Sequence, residues 1–204
     1  MNVLRELLEF IETSKPEPVE KLLRRVLLKS REHTGAEAGT FFIIRGRGPH
    51  RRLEAADSQN DAIPVQPAAF IVPITTSSIA GYTAATGETV FVEDLYELPN
   101  DVPYTFDRSF DEKHGYHSRS MLAFPLLNYD RRVVGVVQLI NRLADPDRAV
   151  AAFGEEQAGL IVPVNHILGG AIERADMLQR IKAQNIRLRD RNRILAEQRA
   201  KIAA

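Results

Sequence analysis

The chain places one carboxylate and two imidazoles at a regular interval, as Asp111, His114 and His117. Zinc and iron accept both kinds of ligand, and residues three positions apart lie on one face of a helix. However, the pair Gly115-Tyr116 falls inside this run, and glycine interrupts a helix. We therefore expect a solvated polar loop here and no metal site.

A second chemical candidate is the basic run from Arg187 to Arg193, because arginine-rich dimeric helices can bind DNA. Asp190 interrupts the charge, and an apolar heptad seam runs through the same residues. A solvated coiled-coil face is the preferred interpretation, so we expect no nucleic-acid partner. No pair of nucleophile and general base can be recognised, so we expect no catalytic residues.

The composition indicates one ordinary globular domain with some additional length. The chain has 204 residues, of which 44% are hydrophobic and 26% charged, and its formal net charge is zero. No apolar run approaches the length of a membrane span. There is no cysteine, which excludes disulfides, thiolate zinc sites and iron–sulfur clusters. We expect a cytoplasmic protein with no membrane partner.

Apolar periodicity predicts helices at both ends of the chain and strands between them. The predicted strands cover residues 40–44, 51–56, 88–92, 118–127 and 133–140. The predicted helices cover residues 2–13, 19–33 and 78–86, and the chain after residue 147 is predicted to be helical to its end. Residues 57–73 are predicted to be irregular, because three prolines interrupt them. The fold class is therefore α+β, an antiparallel sheet with helices packed on one side.

The C-terminal helix carries a heptad pattern, with one apolar seam position and one that is mostly polar. The apolar position is occupied by Ile181, Leu188, Leu195 and Ile202. The mostly polar position is occupied by Leu178, Asn185, Asn192 and Arg199. This pattern is typical of a weak parallel coiled coil, in which a buried Asn favours two strands and fixes their register. We expect a parallel homodimer through residues 171–204. The alternative is a single exposed helix with accidental spacing.

Three sequence blocks in the middle of the chain resemble a GAF domain, the small-molecule sensor module of many signalling proteins. They read SIAGYTAATGETVFVED from Ser78, SFDEKHGYHSRSMLAFPLLN from Ser109, and VVGVVQLINR from Val133. The resemblance implies N-terminal helices over residues 1–35, a GAF sensor domain over 36–170 and a signalling helix over 171–204. Related GAF domains that attach bilins or reduce methionine sulfoxide use cysteine, which is absent here.

The resemblance is strongest to the cyclic-nucleotide-binding GAF domains of phosphodiesterases and some adenylate cyclases. These carry an Asn-Lys pair after the last strand, a downstream Phe and then an Asp-Glu pair. Asn141, Arg142 and Phe153 match the first positions, with Arg in place of Lys. Gln157-Ala158 stands at the acidic pair, and Glu155-Glu156 is displaced toward the Phe. The motif implies a buried ion pair that ties a helix to the sheet.

By the same resemblance, the nucleotide site draws on several elements. Its implied residues are Thr40, Ala56, Asp57, Ile79, Ala80, Asp107, Asp111, His114, Ser118 and Gln138. The start of the helix at Ile79-Ala80 offers N–H groups to a phosphate. The chain departs from the family pattern at four of these positions. His114 and Ser118 replace threonines, Gln138 replaces an acidic residue, and Ala56 replaces an aromatic that would stack on a purine.

The implied function is a regulatory sensor for cAMP, cGMP or another small ligand, with closure of residues 94–117 over the ligand. The dimeric helix would pass this change to an output domain in cis or in trans. No GGDEF block, HD dyad followed by GYP, kinase His box or Walker A loop occurs in the sequence, so we expect the chain to be a fragment of a longer protein. The alternative function is a ligand-free dimerisation module of the same fold.

Overall fold

The computed structural model describes residues 19–63, 70–144, 149–161 and 165–202, which form one antiparallel sheet with helices on both faces. The helices are α1 (Val19–Thr34), α2 (Ile79–Thr86), α3 (Ser109–His114), α4 (Glu155–Ile161) and α5 (Asn165–Ile202). The strands are β1 (Ala36–Arg45), β2 (Arg52–Asn60), β3 (Ile71–Pro73), β4 (Val90–Val92), β5 (Met121–Leu127), β6 (Val133–Ala144) and β7 (Ala149–Ala151).

The strand order is β3-β2-β1-β6-β5-β4, and β7 pairs with the end of β6. All of these pairs are antiparallel. The long strands β1 and β6 lie at the centre, where the register places Thr40 opposite both Ser58 of β2 and Gln138 of β6. Since neighbouring residues of a strand point to opposite faces, this register decides which side chains share a surface.

The first face of the sheet is covered by α1, α4 and α5. Leu23 and Leu27 of α1 are fully buried there against Phe41 of β1. Phe153 and Ile161 bring the segment of α4 into the same apolar cluster. Burying these side chains supplies the main driving force for attaching the helices to the sheet.

The second face is covered by α2 and by the segment between β4 and β5. Ala80 and Ala84 of α2 pack on Phe42 and Val136, and Ile79 packs beside Met121. The expectation of helices on one side of the sheet was therefore wrong. Alanine and glycine give α2 a weak apolar pattern, but they allow its backbone to lie close to the sheet.

Two other expectations are corrected by strand pairing. Residues 57–73 were expected to be irregular, but β2 continues to Asn60 along β1, and residues 71–73 form β3. The chain was expected to be helical after residue 147, but residues 149–151 form β7 on β6. In both cases, backbone hydrogen bonds to an adjacent strand of the sheet outweigh weak local propensity. The predicted helix at residues 2–13 lies outside the described residues.

No helix in the described part of the chain is both long and apolar enough to cross a membrane.

Helix α5 is tied to the sheet at Gly169. A Cβ atom at this position would overlap the carbonyl oxygen of Leu127, at the end of β5. We expect Gly169→Ala to lower the free energy of unfolding by about 1–3 kcal/mol, because the backbone must move to admit the methyl group. Gly159→Ala is the matched control, since a Cβ on this α4 residue meets no atom within 4 Å. Urea denaturation measures both, and equal stability of the two variants would contradict the contact.

Candidate ligand-binding site

A polar row crosses the centre of the second sheet face. Its polar members are Ser58 on β2, Thr40 on β1 and Gln138 on β6, which lie side by side. Ala123 on β5 lies next to Gln138 at the end of the row. The hydroxyl oxygens of Thr40 and Ser58 are 2.7 Å apart, and the Gln138 amide donates to Met121 Sδ at 3.3 Å. Sulfur is a weak acceptor, so this amide can exchange it for a better partner. The row is a polar floor within an apolar surface.

Helix α2 lies over this face and begins and ends at strong local signals. The Ser78 side chain accepts from the Gly81 N–H at 3.1 Å, and Gly87 ends the helix with a φ of 76°. Within the helix, Thr83 is fully buried, and its hydroxyl has no hydrogen-bond partner among the described residues. An unpaired buried hydroxyl costs free energy, which a bound polar group would recover.

Residues 94–117, here called the lid segment, close over the start of α2. The Thr105 N–H donates to the Ser77 carbonyl at 3.0 Å, and Ser78 and Thr105 form a parallel bridge. The rings of Tyr82 and Tyr104 meet edge to face at 5.2 Å. A cleft of about 370 Å³ lies within the segment, between Leu95 and Arg108. The described structure is therefore closed at the helix start.

Asp111 holds the lid segment together from inside. Its carboxylate is buried and accepts from the Ser118 N–H at 2.7 Å and the Ser118 hydroxyl at 2.9 Å. The Tyr96 hydroxyl also donates to it at 2.9 Å. Burial raises the pKa of the Tyr96 phenol, and its hydrogen bond to Asp111 raises it further. Asp111 and Ser118 therefore stabilise the conformation of the lid segment by bonding to each other.

Asn141 anchors the far end of the lid segment to the sheet. Its Oδ1 accepts from the Arg119 N–H at 2.7 Å, and its Nδ2 donates to the His117 carbonyl at 2.8 Å. Nδ2 also lies 3.0 Å from the Tyr116 hydroxyl and 3.1 Å from a Glu37 carboxylate oxygen. Asn141 is buried and has a φ of 55°, a conformation that Asn tolerates better than most residues.

Tyr116 connects the lid segment to β1. Its hydroxyl donates to Glu37 Oε2 at 2.8 Å. Burial raises the pKa of the Tyr116 phenol, and the adjacent Glu37 carboxylate raises it further. The phenol therefore stays protonated at neutral pH and keeps this donor.

The other positions of the motif that begins with Asn141 are Arg142, Phe153 and Gln157, and they stabilise the fold without the ion pair that the resemblance implied. Phe153 is buried in the α1-side cluster. Arg142 donates to the Ala152 carbonyl at 3.3 Å, and Gln157 accepts from the Gly154 N–H at 2.9 Å at the start of α4. Because Gln157 is neutral, it cannot form the implied ion pair with Arg142, and both side chains instead bond to backbone groups.

The structure brings some of the predicted site residues together and separates others. Thr40 and Gln138 share the polar floor, and Ile79 and Ala80 are buried at the start of α2. Asp107 and His114 lie in the lid segment. Asp107 is exposed and accepts from the Ser109 N–H, which lowers the pKa of its carboxyl. His114 Nδ1 lies 2.9 Å from the Phe110 carbonyl.

Ala56 and Asp57 lie on the opposite face of the sheet. A bulge leaves Ala56 between the pairs Phe42–Ala55 and Phe41–Asp57, so the alternation of side chains shifts there. Ala56 packs against the α1-side cluster, and Asp57 lies 3.9 Å from Arg24 of α1. Neither residue can contact a ligand held between α2 and the sheet.

Four residues of this region were not predicted from the sequence: Ser58, Thr83, Glu37 and Tyr116. Ser58 could have been found from its place opposite Thr40, had β2 been extended. The other three carry no local signal, because their roles depend on distant partners. Among the described residues, no group of three or more His, Asp or Glu side chains is placed to hold a metal ion.

Comparison with known sequences decides the family. The sequence model of the GAF domain family matches residues 18–171. The chain belongs to the GAF domain family. This match covers the sheet, α1 to α4 and the beginning of α5.

Curated relatives of this GAF domain include phosphodiesterases. The cGMP-specific 3',5'-cyclic phosphodiesterase of Drosophila virilis is 26% identical over 131 residues, which is 61% of this chain and 14% of that protein. The dual 3',5'-cyclic-AMP and -GMP phosphodiesterase 11A of Takifugu rubripes is 25% identical over 166 residues, 79% of this chain and 17% of that protein. The chain thus spans less than a fifth of the length of these relatives.

Solved structures share the fold. The GAF domain of a phosphoenolpyruvate-protein phosphotransferase from Coxiella burnetii superposes with a TM-score of 0.66 at 17% identity, over 87% of this chain and 94% of that one. Free methionine-R-sulfoxide reductase from Neisseria meningitidis gives a TM-score of 0.62 at 21% identity, over 86% and 89%. At these identities the likeness describes the fold alone.

Proposed function

We propose that this GAF domain is a cytoplasmic regulatory sensor that binds a cyclic nucleotide between α2 and the sheet. Two observations carry the proposal: the polar floor of Ser58, Thr40 and Gln138 on the sheet face that α2 covers, and the unpartnered, buried hydroxyl of Thr83 within α2. Buried polar groups normally have hydrogen-bond partners, so an unpaired hydroxyl near weakly bonded polar side chains points to a ligand.

The chemistry of this surface suits a purine ring with a cyclic phosphate. The Gln138 side chain offers both an amide donor and a carbonyl acceptor, which can pair with a purine edge. The hydroxyls of Thr40 and Ser58 can bond to ribose or base. The start of α2 attracts a phosphate through its N–H groups, once the lid segment withdraws the backbone of Thr105. The names of the phosphodiesterase relatives support this ligand class.

Ligand binding would be transmitted through the lid segment and the central strands. Movement of the lid segment pulls on Asn141 of β6, and β6 pairs with β5, whose end contacts α5 at Gly169. We propose that α5 pairs with α5 of a second copy as a parallel coiled coil through residues 171–204 and drives an output domain in cis or in trans. A ligand shifts such a change only by binding one arrangement more tightly.

A regulatory role without catalysis fits the composition, because the chain has no cysteine for the chemistry of the related reductases. The second candidate function is a ligand-free dimerisation module. It is favoured by the exposed apolar residues Leu178, Ile181 and Leu188 on α5 and by the closed lid segment.

Titration of the purified protein with cAMP and cGMP tests the proposal by thermal unfolding. At about 100 times Kd, a ligand adds about 2.7 kcal/mol of stability, which raises Tm by about 5–10 °C in a domain of this size. We expect Gln138→Leu and Thr40→Val each to weaken binding by about 5- to 13-fold, since each loses a hydrogen bond worth about 1–1.5 kcal/mol.

Asp57→Asn is the matched control, because Asp57 lies on the opposite face and should leave binding unchanged. Equal loss of binding in Asp57→Asn and Gln138→Leu would place the ligand elsewhere. No shift with either nucleotide would favour the dimerisation module or a different ligand. The two nucleotides are also ranked, in each variant and in the wild type, by the rise in Tm that they give. If Gln138→Leu or Thr40→Val exchanges the order of cAMP and cGMP, the replaced residue contacts the base.

A further inference from the structure

The exposed part of α5 carries apolar side chains on two sides. Leu178, Ile181 and Leu188 follow the heptad seam and are about half exposed. Ile186 and Ile194 are 60% and 50% exposed and lie off this seam. At about 100° per residue, they lie about 150° around the helix from it. A two-stranded coiled coil covers only the seam, so Ile186 and Ile194 would stay in solvent.

The same stretch of α5 is basic. Between residues 177 and 194 there are six Lys or Arg residues and one acidic residue, Asp190. Arg187 and Arg193 flank Ile186 and Ile194 on the helix surface, and Arg193 lies 3.8 Å from Asp190 across an exposed, weak contact. An occupant of this side must therefore offer apolar side chains bordered by acidic ones.

The N-terminal end of α1 lies at the end of the domain from which α5 leaves. Leu27 lies against Gly39, near the start of β1, whereas Arg24 lies beside Asp57, opposite Phe41 and further along β1. Following α1 backward therefore leads toward the Arg45 end of β1.

The exit of α5 is fixed at the same end of the sheet. The Asn128 side chain, in the turn between β5 and β6, donates to Glu173 of α5 at 3.0 Å. This turn is close to the Arg45 end of β1, because Ile43 pairs with Gly135 near the start of β6. Residues before Val19 and the exposed part of α5 therefore project from one end of the domain.

Residues 2–13 have the required chemistry. Their sequence predicts an amphipathic helix with Leu4, Leu7, Leu8 and Ile11 on one face. On a helical projection, Glu6 and Glu12 border the wider apolar face, and Glu9 lies in the middle of the polar face. Five residues connect this segment to Val19 at the start of α1, and when extended they span up to about 17 Å. Ile186 lies about 21 Å along α5 from Ile172, within range of a helix of this length.

We propose that residues 2–13 pack antiparallel on the Ile186–Ile194 side of α5, with Glu6 and Glu12 facing Arg187 and Arg193. This interaction goes beyond the proposed sensor function, because it needs no ligand and leaves the heptad seam free for a second copy. The N-terminal segment would then stiffen the helix that carries the signal.

Disulfide trapping in the full chain tests the contact, since the chain has no cysteine of its own. Leu7→Cys and Ile11→Cys are each combined with Ile186→Cys or Ile194→Cys. We expect at least one pair to cross-link about tenfold faster than the control pair Glu9→Cys with Ile186→Cys, because proximity raises the effective concentration. Equal rates for all pairs would overturn the proposal. Rapid cross-linking of Ile186→Cys alone to a second copy would also overturn it.

A charge exchange provides an independent measurement. Glu6→Lys with Glu12→Lys should lower Tm by about 2–4 °C, as should Arg187→Glu with Arg193→Glu. The combination of all four should recover at least half of the summed loss, and Glu9→Lys should change Tm by less than about 1 °C. Strictly additive losses in the combined variant would contradict the pairing. A negative result in nucleotide titrations leaves this prediction unaffected, so the two failures are distinguishable.

Discussion

An Asn141→Ala variant is expected to lose about 4 kcal/mol of unfolding free energy, a large part of the stability of a domain of this size. The substitution leaves the Arg119 N–H and the His117 carbonyl, in part-buried hydrogen bonds, without their partner, at about 1–1.5 kcal/mol each. It also places alanine at a φ of 55°, where a Cβ atom is strained by about 1 kcal/mol. Urea denaturation with an unchanged m value gives the difference.

Asn141→Gly separates the two contributions. Glycine loses the same hydrogen bonds but adopts the positive φ without strain, so it should be more stable than alanine by about 1 kcal/mol. We expect the order of stability to be wild type, then glycine, then alanine. A stable alanine variant, within about 1 kcal/mol of wild type, would show that the lid segment has another anchor.

Replacing Asp111 with alanine is the second large effect, with an expected loss of about 3 kcal/mol. The buried carboxylate accepts two hydrogen bonds from Ser118 and one from Tyr96, and bonds to a charged group contribute about 1.5–3 kcal/mol each. The substitution also removes the desolvation cost of the buried charge, which offsets about half of that sum. Removal leaves the Ser118 N–H buried without an acceptor. We expect hydrogen exchange to accelerate in residues 109–118 before the sheet opens, since the loss is local to the lid segment.

Asp107→Ala is the matched control for Asp111. Asp107 is an exposed carboxylate that accepts from the Ser109 N–H, as a helix cap does, so its loss should cost only about 0.5–1 kcal/mol. Ser118→Ala should fall between the two, because it removes the hydroxyl and keeps the backbone donor. Comparable losses in Asp107→Ala and Asp111→Ala would contradict the assignment of Asp111 as the internal support of the lid segment.

Elements with strong local signals were predicted closely. The helix predicted over residues 78–86 forms from Ile79 to Thr86, where the Ser78 hydroxyl caps its start and the left-handed Gly87 ends it. The hairpin of β5 and β6 follows from two apolar runs joined by a short polar turn. The run from Asp111 to His117 was expected to be a solvated polar loop, which was wrong, because residues 109–114 form α3 and Asp111 is buried. Only the break at Gly115, with a φ of 62°, was expected from the glycine. These features depend on contacts within a few residues of one another.

The sequence predicted less well which residues line the candidate ligand-binding site. Ala56 and Asp57 were expected beside the ligand, but one bulge in β2 turns them toward α1. A shift of one residue reverses the face of every following side chain, and no local pattern announces it. Asp111 and Ser118 were predicted as ligand contacts, and the structure pairs them with each other. Whether the remaining predicted residues bind a ligand stays a prediction.

The resemblance of three sequence blocks indicated the family. The sequence by itself also determined the α+β class, the positions of the main strands and the helix capped by Ser78, because periodicity and capping are short-range properties. Only the tertiary structure decided that helices cover both faces, that Thr40, Ser58 and Gln138 form one row, and that Asn141 joins Arg119, His117 and Glu37. Glu37 and Asn141 are 104 positions apart in the chain, and such pairs are fixed by the register of β1 on β6 and not by any nearby residue.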